Sequence, residues 1–337
     1  MSKPVTFAIA GCGSIGKRHV AVVDADPKTG LESICDVDVA KVQQLSALYH
    51  QVPFYTNFSE QLKHTTADIV SICTPHAEHT PMALQAIEHG KHVLVEKPMA
   101  LTVADCKKMI DAAKAHKVKL MVVKQNRFNV PIKLTKQVLD EGLLGKIYMV
   151  QCHVLWNRNP EYYTESSWRG KKATEGGALF TQVSHFIDLL IWWFGDVVEA
   201  KSIIDTKLHD IEIEDCGSST VNFASGVMGT LIWTTCVYNK NFEGSITIIG
   251  EKGTIKIGGS YLNKIDFWDV KSMPLPNQNM FVDQPNMYGK YQGTSSNHDK
   301  VIAQIANMFT NEKYQEVVEG EEGIKSIEAI ERMYQFL

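Results

Sequence analysis

The chain has 337 residues, 44% of them apolar, and its 34 basic and 38 acidic side chains leave a net charge of -4. That length and apolar share can fill two cores, so two domains are expected rather than one, and so even a charge balance offers no general attraction to nucleic acid or to an anionic membrane. No apolar run is long enough to span a membrane and the start, MSKPVTFAIAGCG, carries no cleavable apolar segment, so a cytoplasmic protein is expected, with any anionic ligand met by a local cluster of cations.

From the start to about Val123, short β-branched runs alternate with amphipathic stretches. Strands are predicted over Val5–Ala10, Leu31–Cys35, Asp68–Cys73, His92–Val95 and Val118–Val123. Helices are predicted over Ile15–Asp24, Val39–Tyr49, Thr80–His89 and Val103–His116. This order describes a parallel sheet with crossover helices, which binds its ligand at the carboxyl ends of the strands. Longer alternating segments follow at Ile147–Leu155, Ser218–Phe223, Val227–Thr235, Ser245–Ile249 and Thr254–Ile257, interrupted by a helical pattern over Glu175–Phe194. They predict an open, mainly antiparallel sheet with helices on one face. A closing amphipathic helix is expected over Glu321–Leu337. The expected architecture is therefore α/β, with an N-terminal Rossmann domain over 1–123 and an α+β domain over 124–337 that binds substrate and mediates oligomerisation; its final helix is free to pack back on the first domain. The seven cysteines are scattered singly with no CxxC pair, which suggests reduced thiols, with no disulfide framework and no metal site.

Gly11-Cys12-Gly13-Ser14-Ile15-Gly16 follows an apolar strand and opens a helix. In that context glycines allow a tight turn and let a pyrophosphate approach the free N–H groups of the helix start. Asp36 lies twenty residues beyond Gly16 at the end of the second strand, where a carboxylate accepts hydrogen bonds from ribose hydroxyls and repels a 2′-phosphate, favouring NAD over NADP. Thr74-Pro75-His76 ends the strand at Asp68–Cys73, and Glu96-Lys97-Pro98 follows that at His92–Val95, so both lie along the same rim. A Lys held there has a lowered pKa if buried and can exchange a proton with a substrate oxygen; the alternative is a surface Lys before a turn-forming Pro. Thr181, His185 and Asp188, at i, i+4 and i+7, share a helix face. His185 suits proton abstraction from a hydroxyl whose carbon loses hydride, although a lone His on an apolar helix is also a common core residue.

GCGSIGKRH, CDVD, TPHAEH, HGKHVLVEKPMA and EGGALFTQVSHFIDLL, in this order and spacing, resemble the Gfo/Idh/MocA oxidoreductase family over essentially the whole chain. The resemblance implies that Lys97 and His185 flank the reacting carbon, that Thr74, His76, Glu96 and Lys97 lie near the nicotinamide riboside, and that the face of the second sheet packs in dimers or tetramers. Where many members carry GGxxxDxxxH this chain has Thr181, so the Asp that would support His185 is missing, and Lys97 then carries more of the proton transfer or His185 mainly orients the hydroxyl.

VVKQNRFNVPI, SWRGKKATEGGALFTQVSHF and NFEGSITIIGEKGTIKIGG look like a narrower branch, which oxidises the 3″-hydroxyl of UDP-N-acetylglucosaminuronate for lipopolysaccharide sugar synthesis. Arg127, Arg169, Lys171 and Lys172 are candidates for its diphosphate and carboxylate, and Asn126, Trp168, Thr174 and Thr181 for the rest of the pocket. In this branch 2-oxoglutarate is a possible hydride acceptor. A polyol dehydrogenase or an NAD-dependent glycosidase of the same fold are the alternatives; a non-catalytic cofactor sensor fits poorly with retention of both Lys97 and His185.

Overall fold

The structure is a computed structural model and describes residues 3–259, 261–275, 277, 285–287, 292–314 and 316–335. The chain divides into two compact units. One runs to Lys124 and regains His298–Ile327; the other holds Gln125–Asn297 and the chain from Glu328.

The first unit opens with β1 (Val5–Ala10), α1 (Ser14–Ala25), β2 (Thr29–Cys35), α2 (Val39–Leu48), β3 (Phe54–Tyr55), α3 (Phe58–His64) and β4 (Ile69–Ile72). It continues through α4 (His76–Glu88), β5 (His92–Val95), α5 (Val103–His116) and β6 (Leu120–Val122). The strands form one parallel sheet in the order β3-β2-β1-β4-β5-β6. Phe7, Ala8, Ile9 and Ala10 are fully buried, as are Ile69, Val70 and Ile72, because helices cover both faces of the central strands; such strands read as continuous apolar runs. Caps set several helix starts: Asp38 accepts from Ala40 and Lys41 N–H, Asn57 from Glu60 N–H and Thr102 from Asp105 N–H.

The second unit begins with a 3₁₀ turn over Gln125–Phe128 and α6 (Val130–Asp140), followed by β7 (Ile147–Leu155) and the short α7 (Pro160–Thr164). A π-helical turn at Leu179–Val183 leads into α8 (Ser184–Phe194). Strands β8 (Val197–Asp205), β9 (Cys216–Phe223), β10 (Met228–Thr234), β11 (Glu243–Gly250), β12 (Gly253–Gly258) and β13 (Lys264–Val270) complete a sheet ordered β13-β12-β11-β7-β10-β9-β8. Pairing is antiparallel throughout except between β7 and β10. Alternation sorts the two faces. Val150, Cys152, Val154, Leu231, Trp233, Ile246, Ile248, Ile255 and Ile257 are buried on one face, whereas Met228, Ile232 and Phe267 are exposed on the other. The buried face carries the core of this unit, with Phe194 of α8 against Phe223 and Phe186 edge-on to Trp156. A two-stranded ribbon, β14 (Pro285–Met287) with β15 (Gln292–Ser295), follows.

The helix α9 (His298–Phe309) and the first half of α10 (Gly320–Tyr334) belong to the first unit. The reason is an added edge: Val122 N–H donates to Val318 carbonyl at 2.8 Å, Met121 bridges Glu319, and Gly323 lies so close to Val122 that a Cβ would come within 2.6 Å of it. The second unit is thus not the contiguous 124–337 anticipated from the sequence, because residues 298–327 return to the first sheet. The expected helix end at Leu337 lies outside the described residues.

Removing the wholly buried Phe186 ring takes the principal aromatic contact of α8 from Trp156. Phe186→Ala is expected to cost ~3–5 kcal/mol of stability, read as a lower urea midpoint for this unit; a loss under about 1 kcal/mol would mean that the site collapses around the cavity.

Candidate active site

Unit one supplies a turn built for close approach. Gly11 has φ +91°, and a Cβ there would come within 2.7 Å of the Cys73 backbone; one on Gly16 would lie 1.7 Å from the Gly11 carbonyl oxygen. Neither position tolerates a side chain. At Gly13 nothing lies within 4 Å of such an atom. Gly13 is also the N-cap of α1, with no side-chain cap and no acidic residue in the first turn through Ser14 and Ile15. Open space in front of uncapped N–H groups fits the pyrophosphate of a dinucleotide.

Asp36 is fixed beside that turn: Oδ2 accepts from Cys12 N–H at 2.7 Å and Oδ1 from Asp38 N–H at 2.9 Å. Thr74, at the end of β4, has a buried hydroxyl with no protein partner, an orphan that a cofactor hydroxyl or amide would satisfy. His76 begins α4 and is buried. Sequence reasoning passed over His79, one turn further on. Its Nδ1 meets the Pro98 carbonyl at 2.7 Å and its Nε2 the Thr74 carbonyl at 3.0 Å, tying the two rim loops together. Burial holds its pKa below the ordinary value.

Glu96 turns inward. Its Oε1 lies 2.9 Å from His19 Nε2 and 3.3 Å from His298 Nε2, and its Oε2 accepts from Lys97 N–H at 3.1 Å. Burial opposes its charge, but the hydrogen bond with His19 and the nearby His298 imidazole hold the carboxyl well below the usual range. Burial likewise opposes charge on His19, yet Cys73 and Glu96 raise it to about 10. Ser71 Oγ fixes the other nitrogen of His19 at 2.9 Å. Lys97 is half-buried and sits directly on this buried carboxylate cluster through the backbone. Gly11, Gly13, Asp36, Thr74, Glu96 and Lys97 therefore share the carboxyl edge of one sheet.

In the second unit Asn126 is buried in the 3₁₀ turn with both amide atoms unpartnered, again the signature of a missing ligand. Arg127 differs from expectation. Its guanidinium forks onto Asp188, with Nε 2.8 Å from Oδ2 and Nη2 2.9 Å from Oδ1, and stacks over Trp192. At 2% exposed it anchors α8, and Asp188 is used up on it; a bidentate Arg does not also serve an incoming carboxylate from that fork.

The loop before α8 folds on itself. Thr174 Oγ1 donates to the Trp168 carbonyl at 2.6 Å, Lys171 Nζ to the Ser167 carbonyl at 2.8 Å, and Lys172 N–H to Glu212 at 3.0 Å. The Arg169 guanidinium sits over Tyr162, 4.0 Å from the ring centroid, with Trp168 at 5.3 Å. Arg158, buried and unremarked in the sequence, covers the same Tyr162 at 5.1 Å. Thr181 Oγ1 donates to Glu175 Oε1 at 2.8 Å, while Glu175 Oε2 accepts from Gly170 N–H. A fully buried acid thus stands one hydrogen bond behind Thr181. The Glu of the EGG motif was its only signal. His185 is buried in the first turn of α8, beside a Ser184 hydroxyl that has no protein partner.

Residues 5–124 match the oxidoreductase family model with an NAD-binding Rossmann fold, and 132–256 match the Gfo/Idh/MocA C-terminal domain. The chain belongs to the Gfo/Idh/MocA oxidoreductase family. It is an NAD-dependent oxidoreductase, and NAD is its cofactor. Among solved structures it is similar to the WlbA dehydrogenase of Chromobacterium violaceum in complex with NADH and UDP-GlcNAcA, at 34% identity and TM-score 0.91 over 100% of this chain and 94% of that one. The Bordetella pertussis WlbA dehydrogenase, with the same two ligands, is 33% identical with TM-score 0.88 over 99% and 96%. Inositol 2-dehydrogenase of Burkholderia multivorans is 26% identical over 259 residues, 74% of this chain and 73% of its own. Among the described residues no helix is long and apolar enough to cross a membrane.

Asp36→Ala should weaken NADH binding and erase discrimination against NADPH in a fluorescence titration; an unchanged preference would remove Asp36 from cofactor selection. Asp188→Asn leaves Arg127 buried opposite a neutral partner, with an expected cost of ~3–5 kcal/mol in unfolding and little change in NADH affinity.

Proposed function

We propose that this protein oxidises the C3″ hydroxyl of a UDP-linked N-acetylated hexuronate, UDP-N-acetylglucosaminuronate, to the ketone needed in lipopolysaccharide sugar synthesis. The observation that carries the reading is similarity along essentially the whole chain to two dehydrogenases held with NADH and that nucleotide sugar. Arg169, pre-set on the Tyr162 ring, and Lys171 are assigned to the anionic groups of the sugar nucleotide, and Asn126, Trp168, Thr174 and Thr181 to its neutral parts.

The nicotinamide, when bound, supplies the hydride acceptor. The chain's own residues manage the proton. Lys97 and His185 act on the same hydroxyl, one taking the proton and the other holding the oxygen. Glu175 is tied to this step through its hydrogen bond from Thr181. Oxidising a secondary alcohol with NAD is uphill near neutral pH, so product drains only when coupled to a consuming reaction; 2-oxoglutarate is proposed to take the hydride on from NADH and so regenerate NAD. A cytoplasmic dimer or tetramer is proposed, with the open sheet face that exposes Met228, Ile232 and Phe267 as the contact.

A second reading, oxidation of a free polyol, is favoured by the similarity to inositol 2-dehydrogenase. It gives Arg169 and Lys171 no anion to bind.

Lys97→Ala and His185→Asn should each lower turnover by ~10²–10⁴-fold with NADH affinity kept; full turnover in either variant would take that residue out of the mechanism. UDP-N-acetylglucosaminuronate should turn over faster than UDP-N-acetylglucosamine, which lacks the carboxylate, and Arg169→Ala should weaken UDP-sugar binding while leaving NAD binding intact. Equal turnover of the two sugars, or faster turnover of inositol, promotes the second reading.

A further inference from the structure

The loop that delivers α8 is braced from behind by residues the proposed chemistry does not use. Glu214, 6% exposed between β8 and β9, accepts on its Oε1 from Leu179 N–H at 3.1 Å and from the Tyr334 hydroxyl at 2.6 Å. Tyr334 ends α10 and lays its ring on Phe180, the centroids 6.0 Å apart and the planes 18° from parallel. Leu179 and Phe180 both belong to the π-helical turn that runs straight into Ser184 and His185. Gly177 closes the arrangement: at φ +147° it presses against the pair so closely that a Cβ would stand 2.1 Å from the Tyr334 hydroxyl and 2.7 Å from Glu214 Oε2.

We propose that Glu214 and Tyr334 form a latch that positions the start of α8, and with it His185, for the oxidation reaction. They are positioning residues, acting through the Gly177–Leu179 backbone. The inference rests on the reading that His185 works at the substrate.

The latch has a built-in pH sense. Burial pushes the Glu214 carboxyl up to about 7 even though the Tyr334 hydroxyl and the Leu179 and Ala178 N–H groups favour its charged form. The titratable groups facing it are Tyr334 from α10 and, beyond that hydroxyl, Glu175 from the loop; burial, Glu214 and Glu175 all keep Tyr334 protonated. A carboxyl that binds its proton more tightly when latched than when released stabilises the latch at low pH. That stabilisation fades as pH rises from the ordinary Glu range through about 7.

Tyr334→Phe keeps the ring on Phe180 and deletes only the donor. We expect amide hydrogen exchange across 178–184 to quicken by about tenfold, with turnover falling by a similar factor, since a buried acceptor loses its partner. Both effects should be larger at pH 8 than at pH 6, and NADH affinity should hold. Glu214→Gln retains an acceptor oxygen and cannot ionise, so it should keep the loop protected and flatten the pH dependence of exchange. Gly177→Ala should mimic Tyr334→Phe by driving the pair apart. Wild-type exchange and turnover in Tyr334→Phe and Gly177→Ala, alongside a crippled His185→Asn, would overturn the latch and leave the catalytic reading standing. Faster exchange in Tyr334→Phe with full turnover in His185→Asn would instead keep the latch as a loop brace and defeat the catalytic reading, and with it the claim that the latch serves catalysis.

Discussion

The tightest constraint in the molecule is a backbone contact, the α carbon of Gly16 against the carbonyl of Gly11 and that of Gly11 against Cys73. Because no Cβ fits at either point, α1 sits hard down on the ends of β1 and β4. Everything on that edge is then located by short bonds. Gly11 N–H reaches the Cys35 carbonyl at 2.8 Å, and Cys12 N–H reaches Asp36 one residue later. The acid proposed to select the ribose is thereby tied to the turn proposed to receive the pyrophosphate. His79 and the His19–Glu96–His298 cluster extend the same scaffold to Lys97.

Buried carboxylates organise both units, and each is settled by different neighbours. Glu96 stays charged because two histidines and a backbone N–H outweigh burial. Asp188 is matched by the fork of Arg127. Glu175 collects a hydroxyl and a backbone N–H, and Glu214, which has no ion pair among the described residues, is pushed toward neutrality by burial. Charges in low dielectric are compensated by partners at contact distance. A net charge near zero therefore says little about how strongly charged a given interior site is.

Much of the fold is legible in local pattern. The runs VTFAIA and HVLV, the glycine turn and the alternation along Ile147–Leu155 encode strand, helix start and the inward face, because period and backbone freedom are properties of neighbouring residues. The outer strands β8 and β13 escape the same reading, since their charged residues blur the alternation at the edges of the sheet. The short β3 and the helix α6 gave no recognised signal. Glycine turn, acid and Lys97 stand in register with strand ends, so the edge of the first sheet that is proposed to hold the cofactor could be located from sequence. Tertiary structure decided which polar groups meet: Arg127 with Asp188 across 61 residues, Tyr334 with Glu214 across 120, and Glu96 with histidines from α1 and α9. Composition marks such residues as ionisable. Only the folded chain, by removing water and choosing their neighbours, determines whether each binds a ligand, anchors a helix or braces a loop.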